Sequence, residues 1–184
     1  MSLDIRVATH QDLEAIVEIY RYSVEHGTAT YELTPPDFAE MERRFEALNA
    51  QDYPYLVAEE DDVILGYAYA GPFRPRPAYR WSVEDSIYLS PQAQGKGVGY
   101  KLLVRLIEAA QALGFRQMVA IIGGASEASI AVHAKAGFEH SGVMKATGYK
   151  HGKWLDTTIM QLALGEGQDT DPDLETYPGS LYRD

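Results

Sequence analysis

The run Gln94-Gly95-Lys96-Gly97-Val98-Gly99 limits the folds open to this chain more than any other stretch. Before it, residues 84–91 (Glu-Asp-Ser-Ile-Tyr-Leu-Ser-Pro) read as a strand; after it, residues 100–113 read as an amphipathic helix. A strand, a glycine-rich turn and a helix start together make an anion-binding device. Glycines let the backbone approach a phosphate, and first-turn N–H groups have no partner inside the helix. Two nucleotide turns do not fit. A P-loop needs Gly-Lys-Ser/Thr, and Lys96 is followed by Gly97. A Rossmann turn follows the first strand and has an acid roughly twenty residues on, whereas residues 115–119 here are Phe, Arg, Gln, Met and Val. A phosphorylated ligand is the reading favoured; glycines that only end helices or ease packing are the plainer alternative.

Around this turn the chain reads in the order β α α β β β α β α β β. Residues 4–9 alternate, with Ile5 and Val7 against Arg6 and Ala8. Thr9 suits an N-cap with Asp12 favoured near the helix start, and Leu13, Ile16, Val17, Tyr20 and Val24 recur at helical spacing up to Gly27. Pro35-Pro36-Asp37 starts a second helix with Phe38, Met41, Phe45 and Leu48 on its apolar face. Residues 55–59 and 63–70 make a hairpin about Glu60-Asp61-Asp62, and the proline-rich residues 71–77 follow as a semi-rigid surface loop. Gly114 ends the helix after the glycine turn, and the apolar residues 117–122 suit a strand covered on both faces. Ser126 can cap a helix over 127–136, and residues 139–144 and 154–164 supply the last strands. The expected class is α/β (α+β), a mixed central sheet with the glycine turn near its middle.

Composition narrows the setting. With 184 residues and 46% apolar content, one domain over residues 1–164 is expected. The net charge is −11, and the acidic C-terminal tail, residues 165–184, holds six acids against Arg183 alone. That tail reads as loose or surface-draped, with Tyr177 and Tyr182 available to dock on the body or on a second subunit. The remaining negative body argues against a nucleic-acid binder. No apolar run approaches the ~20 residues that span a bilayer, and no leader is evident at residues 1–6, so a cytoplasmic protein is expected. The absence of cysteine excludes disulfides, thiolate metal sites and a cysteine nucleophile, and no metal is expected to take part.

The glycine run matches the (Gln/Arg)-x-x-Gly-x-(Gly/Ala) signature of the GNAT superfamily of N-acetyltransferases, and His133-Ala134-Lys135-Ala136-Gly137-Phe138 resembles that family's later helix and Gly-Phe ending. Within the superfamily, Ala70-Gly71-Pro72-Phe73-Arg74, Ala78-Tyr79-Arg80-Trp81-Ser82-Val83-Glu84 and residues 148–156 are similar to the phosphinothricin acetyltransferase group, which includes acetylases of methionine sulfoximine and methionine sulfone. The resemblance covers residues 4–164 and leaves the tail outside. It implies a GNAT acyl-CoA N-acyltransferase fold, helices on both faces of the sheet and a splayed strand pair with the pantetheine arm of acetyl-CoA in the gap. It also implies that Gln94, Gly95, Lys96, Gly97, Val98, Gly99 and Tyr100 hold the pyrophosphate. Ile87, Tyr88 and Leu89 would line the gap, and an N–H near Tyr88 or Leu89 would hold the thioester oxygen. Ser126 stands where relatives commonly carry an asparagine that contacts CoA.

Amine acetylation needs a neutral amine, a polarised carbonyl and a protonated leaving thiolate. Glu84 matches the group's general base; the alternative is a strand-end carboxylate paired with Arg80 or Lys150. Asp85 points to the opposite face, since strand side chains alternate. His133 stands where many relatives place a tyrosine as general acid; the alternative is a structural histidine. For the acceptor, Arg74 and Arg76 stand beside Tyr79, and a guanidinium fork suits a carboxylate, phosphinate or sulfone; solvated loop arginines are the alternative. Tyr31 aligns with an acceptor-pocket aromatic or is a core residue, and Lys150 is a substrate-side cation or a dimer-edge charge. The expectation is direct acetyl transfer in a ternary complex to a small amino-acid-like amine, in a homodimer. The rivals are another acceptor (a polyamine, aminoglycoside or protein N-terminus) and a module that binds acyl-CoA without catalysis.

Overall fold

The computed structural model describes residues 3–175 and residue 178; Tyr177 and Tyr182 lie outside the described residues. The strands are β1 Asp4–Val7, β2 Tyr55–Glu60, β3 Val63–Pro72, β4 Ser82–Leu89, β5 Gln117–Gly123, β6 Glu139–Lys150 and β7 Lys153–Ala163. The helices are α1 Leu13–His26, α2 Phe38–Asn49, α3 Val98–Ala112 and α4 Glu127–Lys135. Seven strands form one sheet in the order β1-β2-β3-β4-β5-β7-β6, with β4 and β5 the parallel pair. No helix among the described residues is long and apolar enough to cross a membrane.

Alternation along the strands assigns each side chain to one of two cores. Leu56, Ala68, Val83 and Met118 pack with Leu102, Leu103 and Leu106 of α3, and Ile130 and Val132 of α4 lie against the same cluster. Tyr55, Val57 and Tyr67 face the other way, against Ile16 and Tyr20 of α1 and Met41 and Phe45 of α2. Helices therefore cover both faces, as the continuous apolar runs require. Leu102, Leu103 and Leu106 are fully buried, and burying each such side chain stabilises the fold by about 1.5–3 kcal/mol.

Two expectations are sharpened and one is corrected. Thr9 is an N-cap as expected, in a capping box with Asp12, but of a short 3-10 turn, His10–Asp12, that precedes α1. There the Asp12 carboxylate is committed to the Arg6 guanidinium at 2.7 and 2.8 Å, which holds it below the usual carboxylate range. Strand β6 does not stop near residue 144 but runs to Lys150; its register shifts between Met144 and Gly148 and Ala146 has φ 50°, which breaks the alternation. Of the two readings of the tail, loose or surface-draped, its first part takes the second. Arg116 Nε donates to Gly167 O at 2.9 Å and Nη2 to Thr170 O at 2.6 Å, folding residues 165–170 back on the start of β5.

Candidate functional site

Strands β4 and β5 pair from Ser82↔Gln117 to Asp85↔Ala120 and then part, although β4 continues to Leu89 and β5 to Gly123. Hydrogen bonding to β3 shows which backbone groups enter the gap. Ser90 N–H bonds Leu65 O at 2.9 Å and Phe73 N–H bonds Ser82 O at 3.4 Å. Even-numbered residues of β4 thus engage β3, and because neighbours in a strand bond alternately to either side, Ile87 and Leu89 turn their N–H and C=O groups into the gap. Tyr88, by contrast, spends its backbone on β3, and its ring packs edge-on to Tyr20 at 4.9 Å.

The glycine turn lies at the open end of this gap. Gly95 and Gly97 have φ of 75° and 78°, in the left-handed region that favours glycine, and a Cβ at either would meet nothing within 4 Å. Gly97 is the N-cap of α3, which starts at Val98, two residues before the expected Tyr100. The first-turn N–H groups of α3, which have no partner inside the helix, together with the two glycines before them, suit a phosphate. Gln94 and Lys96 are exposed around it, and Tyr100 carries Lys135 Nζ over its ring at 4.3 Å. Ser126 caps α4, accepting from Ser129 N–H at 3.4 Å. These features suit the acetyl-CoA shape that the sequence implied: a phosphate cradle feeding a slot whose walls carry unspent peptide groups.

At the vertex of the splay two adjacent carboxylates face opposite sides. Glu84 pairs across the rung with Gly71 and shares the α1/α2 face with Tyr69 and Tyr88. Burial pushes its carboxyl up; Arg74, 3.8 Å away, opposes that and Asp85 adds to it. Among the described residues the cation beside it is Arg74. Lys150 is buried and donates to Thr30 O at 2.9 Å, and desolvation lowers its ammonium below the usual lysine value. Asp85, on the α3/α4 face, meets His133 Nε2 at 2.9 Å, while His133 Nδ1 lies 2.7 Å from Ser129 O. Burial alone would lower the imidazole, yet the hydrogen bond and charge of Asp85 outweigh it and hold His133 above its ordinary value. With an acceptor at each ring nitrogen, His133 is a buried partner of Asp85 whose charged form the contact favours.

Among the residues assigned to the acceptor, Arg74 stands with Glu84. Its guanidinium also lies over the Phe73 ring at 4.4 Å, and Phe73 meets Tyr79 edge-on at 5.5 Å. Arg76 is exposed on the same loop. The Tyr31 hydroxyl lies 2.7 Å from Thr157 Oγ1 and accepts from Gly124 N–H at 3.1 Å. It ties the α1–α2 connection to β7 and to the end of β5. Two features escaped the sequence reading. One is Asp85 as the partner of His133. The other is a layer of tyrosines, Tyr20, Tyr55, Tyr67, Tyr69 and Tyr88, on the Glu84 face; the two-residue spacing of Tyr67 and Tyr69 was its available sign.

Comparison with known proteins agrees with this geometry. A family model described as an acetyltransferase (GNAT) domain matches residues 5–159. A phosphinothricin N-acetyltransferase of Alcaligenes faecalis is 45% identical over 92% of this chain and 86% of its own. An L-methionine sulfoximine/L-methionine sulfone acetyltransferase of Pseudomonas paraeruginosa is 45% identical over 89% of this chain and 96% of its own. Among solved structures, a GNAT superfamily phosphinothricin acetyltransferase from Sinorhizobium meliloti, in complex with acetyl-CoA, superposes with a TM-score of 0.97 at 56% identity over 100% of both chains. Splayed sheet, glycine cradle and these relatives agree: the chain belongs to the GNAT acetyltransferase family.

Proposed function

We propose that this protein is an acetyl-CoA-dependent N-acetyltransferase of small amino-acid-like amines of the phosphinothricin, methionine sulfoximine or methionine sulfone type. The observation that carries the reading is Glu84 at the vertex of the splay, where its half-buried carboxylate has Arg74 beside it. A module that only binds acyl-CoA has no use for a carboxylate there. Bound in the gap, acetyl-CoA supplies an activated acetyl thioester. Glu84 takes the proton from the acceptor's ammonium, directly or through water, and burial, by raising its pKa, makes it a stronger base. Arg74, with Arg76 and Tyr79 on the same loop, receives the acceptor's carboxylate. The N–H groups of Ile87 and Leu89 stabilise charge developing on the carbonyl oxygen without having to reorient. With no cysteine to carry the acetyl group, both substrates are held together and orientation supplies much of the rate.

His133, held by Asp85 and Ser129, serves this reading by stiffening the vertex; of the two protons the ammonium nitrogen sheds on becoming the amide, one goes to Glu84 and the other reaches the leaving CoA thiolate through water. Assembly as a homodimer is supported by exposed apolar side chains on the edge pair β6 and β7: Val143, Met144, and Tyr149 against Trp154, the last 67% exposed. Operation in the cytoplasm is consistent with the supply of acetyl-CoA there. The test is release of free thiol from acetyl-CoA with methionine sulfone, methionine sulfoximine, phosphinothricin, spermidine and an N-terminal peptide. Turnover confined to the amino acids supports the proposal; preference for spermidine or the peptide overturns it.

A further inference from the structure

Three side chains able to bind a metal converge on the α1/α2 layer. His10 opens the 3-10 turn ahead of α1, and Glu42 and Glu46 stand one turn apart on α2. His10 Nε2 lies 3.1 Å from Glu42 Oε1 and 3.5 Å from Glu46 Oε1, and one ligand atom from each of the three lies within 4.8 Å of the others. In a tetrahedral zinc site, bonds of ~2.0–2.2 Å place the ligand atoms roughly 3.3–3.6 Å apart. The two histidine distances are already close to that edge. Glu46 is exposed, so a small rotation of its side chain closes the third.

A nitrogen donor, and the way it is held, set this group apart from a patch of surface acid. The His10 ring meets Phe45 edge-on at 6.2 Å, and Phe45 is a buried member of the α1/α2 core that lies between the two glutamates on the helix. The turn carrying His10 is fixed by Asp12, which accepts from Arg6 Nη2 at 2.7 Å and from Thr9 N–H at 2.7 Å. Glu42 and Glu46 are like charges at i and i+4, a placement that repels on a helix and that a divalent cation turns into attraction. One imidazole and two carboxylates suit zinc or a neighbouring first-row ion, whereas magnesium and calcium favour oxygen ligands alone.

We propose that His10, Glu42 and Glu46 form a site for a divalent first-row transition-metal ion, zinc foremost, with water completing its coordination, and that the ion fastens the turn between β1 and α1 to α2. The three ligands come from two elements that are joined elsewhere only by packing of α1 on α2, so one ion ties the start of that layer together. The same layer packs on Tyr55 and Tyr67 of the sheet. The ion stands outside the acetyl-transfer chemistry, and its binding does not depend on which amine is the acceptor.

The experiment titrates ZnCl2, and separately MgCl2, into the untagged full chain after treatment with a chelator, by calorimetry, and follows thermal melting with and without zinc. His10→Ala and Glu42→Gln each remove a ligand. His26→Ala, which removes a histidine 3.8 Å from Glu25, is the control. One zinc per chain is expected, bound about tenfold or more weakly by His10→Ala and by Glu42→Gln, and within about twofold of wild type by His26→Ala. Zinc at ~100 times its Kd should raise the wild-type Tm by about 5–10 °C and that of His10→Ala by less than about 1 °C. Each variant is compared with itself with and without zinc, so a change in its own stability does not enter the comparison. Absence of zinc binding at millimolar concentration overturns the site. Zinc that binds His10→Ala as tightly as wild type is an adventitious ion only and overturns it too, as does magnesium binding equal to that of zinc.

Discussion

Glu84 and Asp85 are adjacent carboxylates, yet the strand turns them into different chemical objects. Glu84 faces the tyrosine layer, where burial raises its pKa and Arg74 restrains the rise; Asp85 faces α4 and is consumed by His133. Glu84 was singled out as a base through the family resemblance of its motif; the alternation was legible in the sequence. The Asp85–His133 contact was not, because it joins residues 48 positions apart and leaves no local pattern. It also changes what His133 can do. Replacing Asp85 by Asn breaks a buried pair, which costs up to about 3–5 kcal/mol, towards the lower end here because the imidazole can shed its proton. A group whose pKa is raised by folding adds stability that is fully present below its unfolded value of ~6.5 and is lost as pH rises through the raised native value. Urea unfolding of the wild type should therefore show falling stability as pH climbs above ~6.5, and Asp85→Asn should lack that slope. Curves of equal slope in the two proteins would contradict the pairing.

At the scale of elements, the donor side of the site follows from two local irregularities. The parallel β4–β5 pair stops after Asp85↔Ala120, and Gly95 and Gly97 take left-handed backbone angles just before α3. The second of these is written in the sequence as glycines, which is why the turn could be read without coordinates. The first leaves only a hint, since β4 and β5 look like ordinary buried strands. The extent of β6 stayed hidden for a related reason: a register shift and Ala146 at φ 50° interrupt its two-residue period. If the turn holds the pyrophosphate, Gly97→Glu fills the phosphate space, strains a positive φ and adds like charge. Calorimetry should then detect no acetyl-CoA binding, with the fold retained. Wild-type affinity in that variant would remove the cradle assignment.

Taken as a whole, the molecule is a sheet with a different duty on each face. One face, under α3 and α4, is an aliphatic core that fixes the vertex through Asp85 and His133. The other, under α1 and α2, is rich in tyrosine and presents Glu84. Tyr31 joins the α1–α2 connection to Thr157 of β7 and Gly124 beyond β5, so the covering of the Glu84 face is tied to the strand that borders the gap. Donor and acceptor meet only at the vertex, and the account stands on Glu84 acting there as the base. The most direct measurement is the turnover of Glu84→Gln with saturating acetyl-CoA and methionine sulfone across the pH range, paired with its acetyl-CoA affinity. The account predicts kcat lower by ~10²–10⁴ with affinity unchanged. Near-normal turnover at every pH would contradict it.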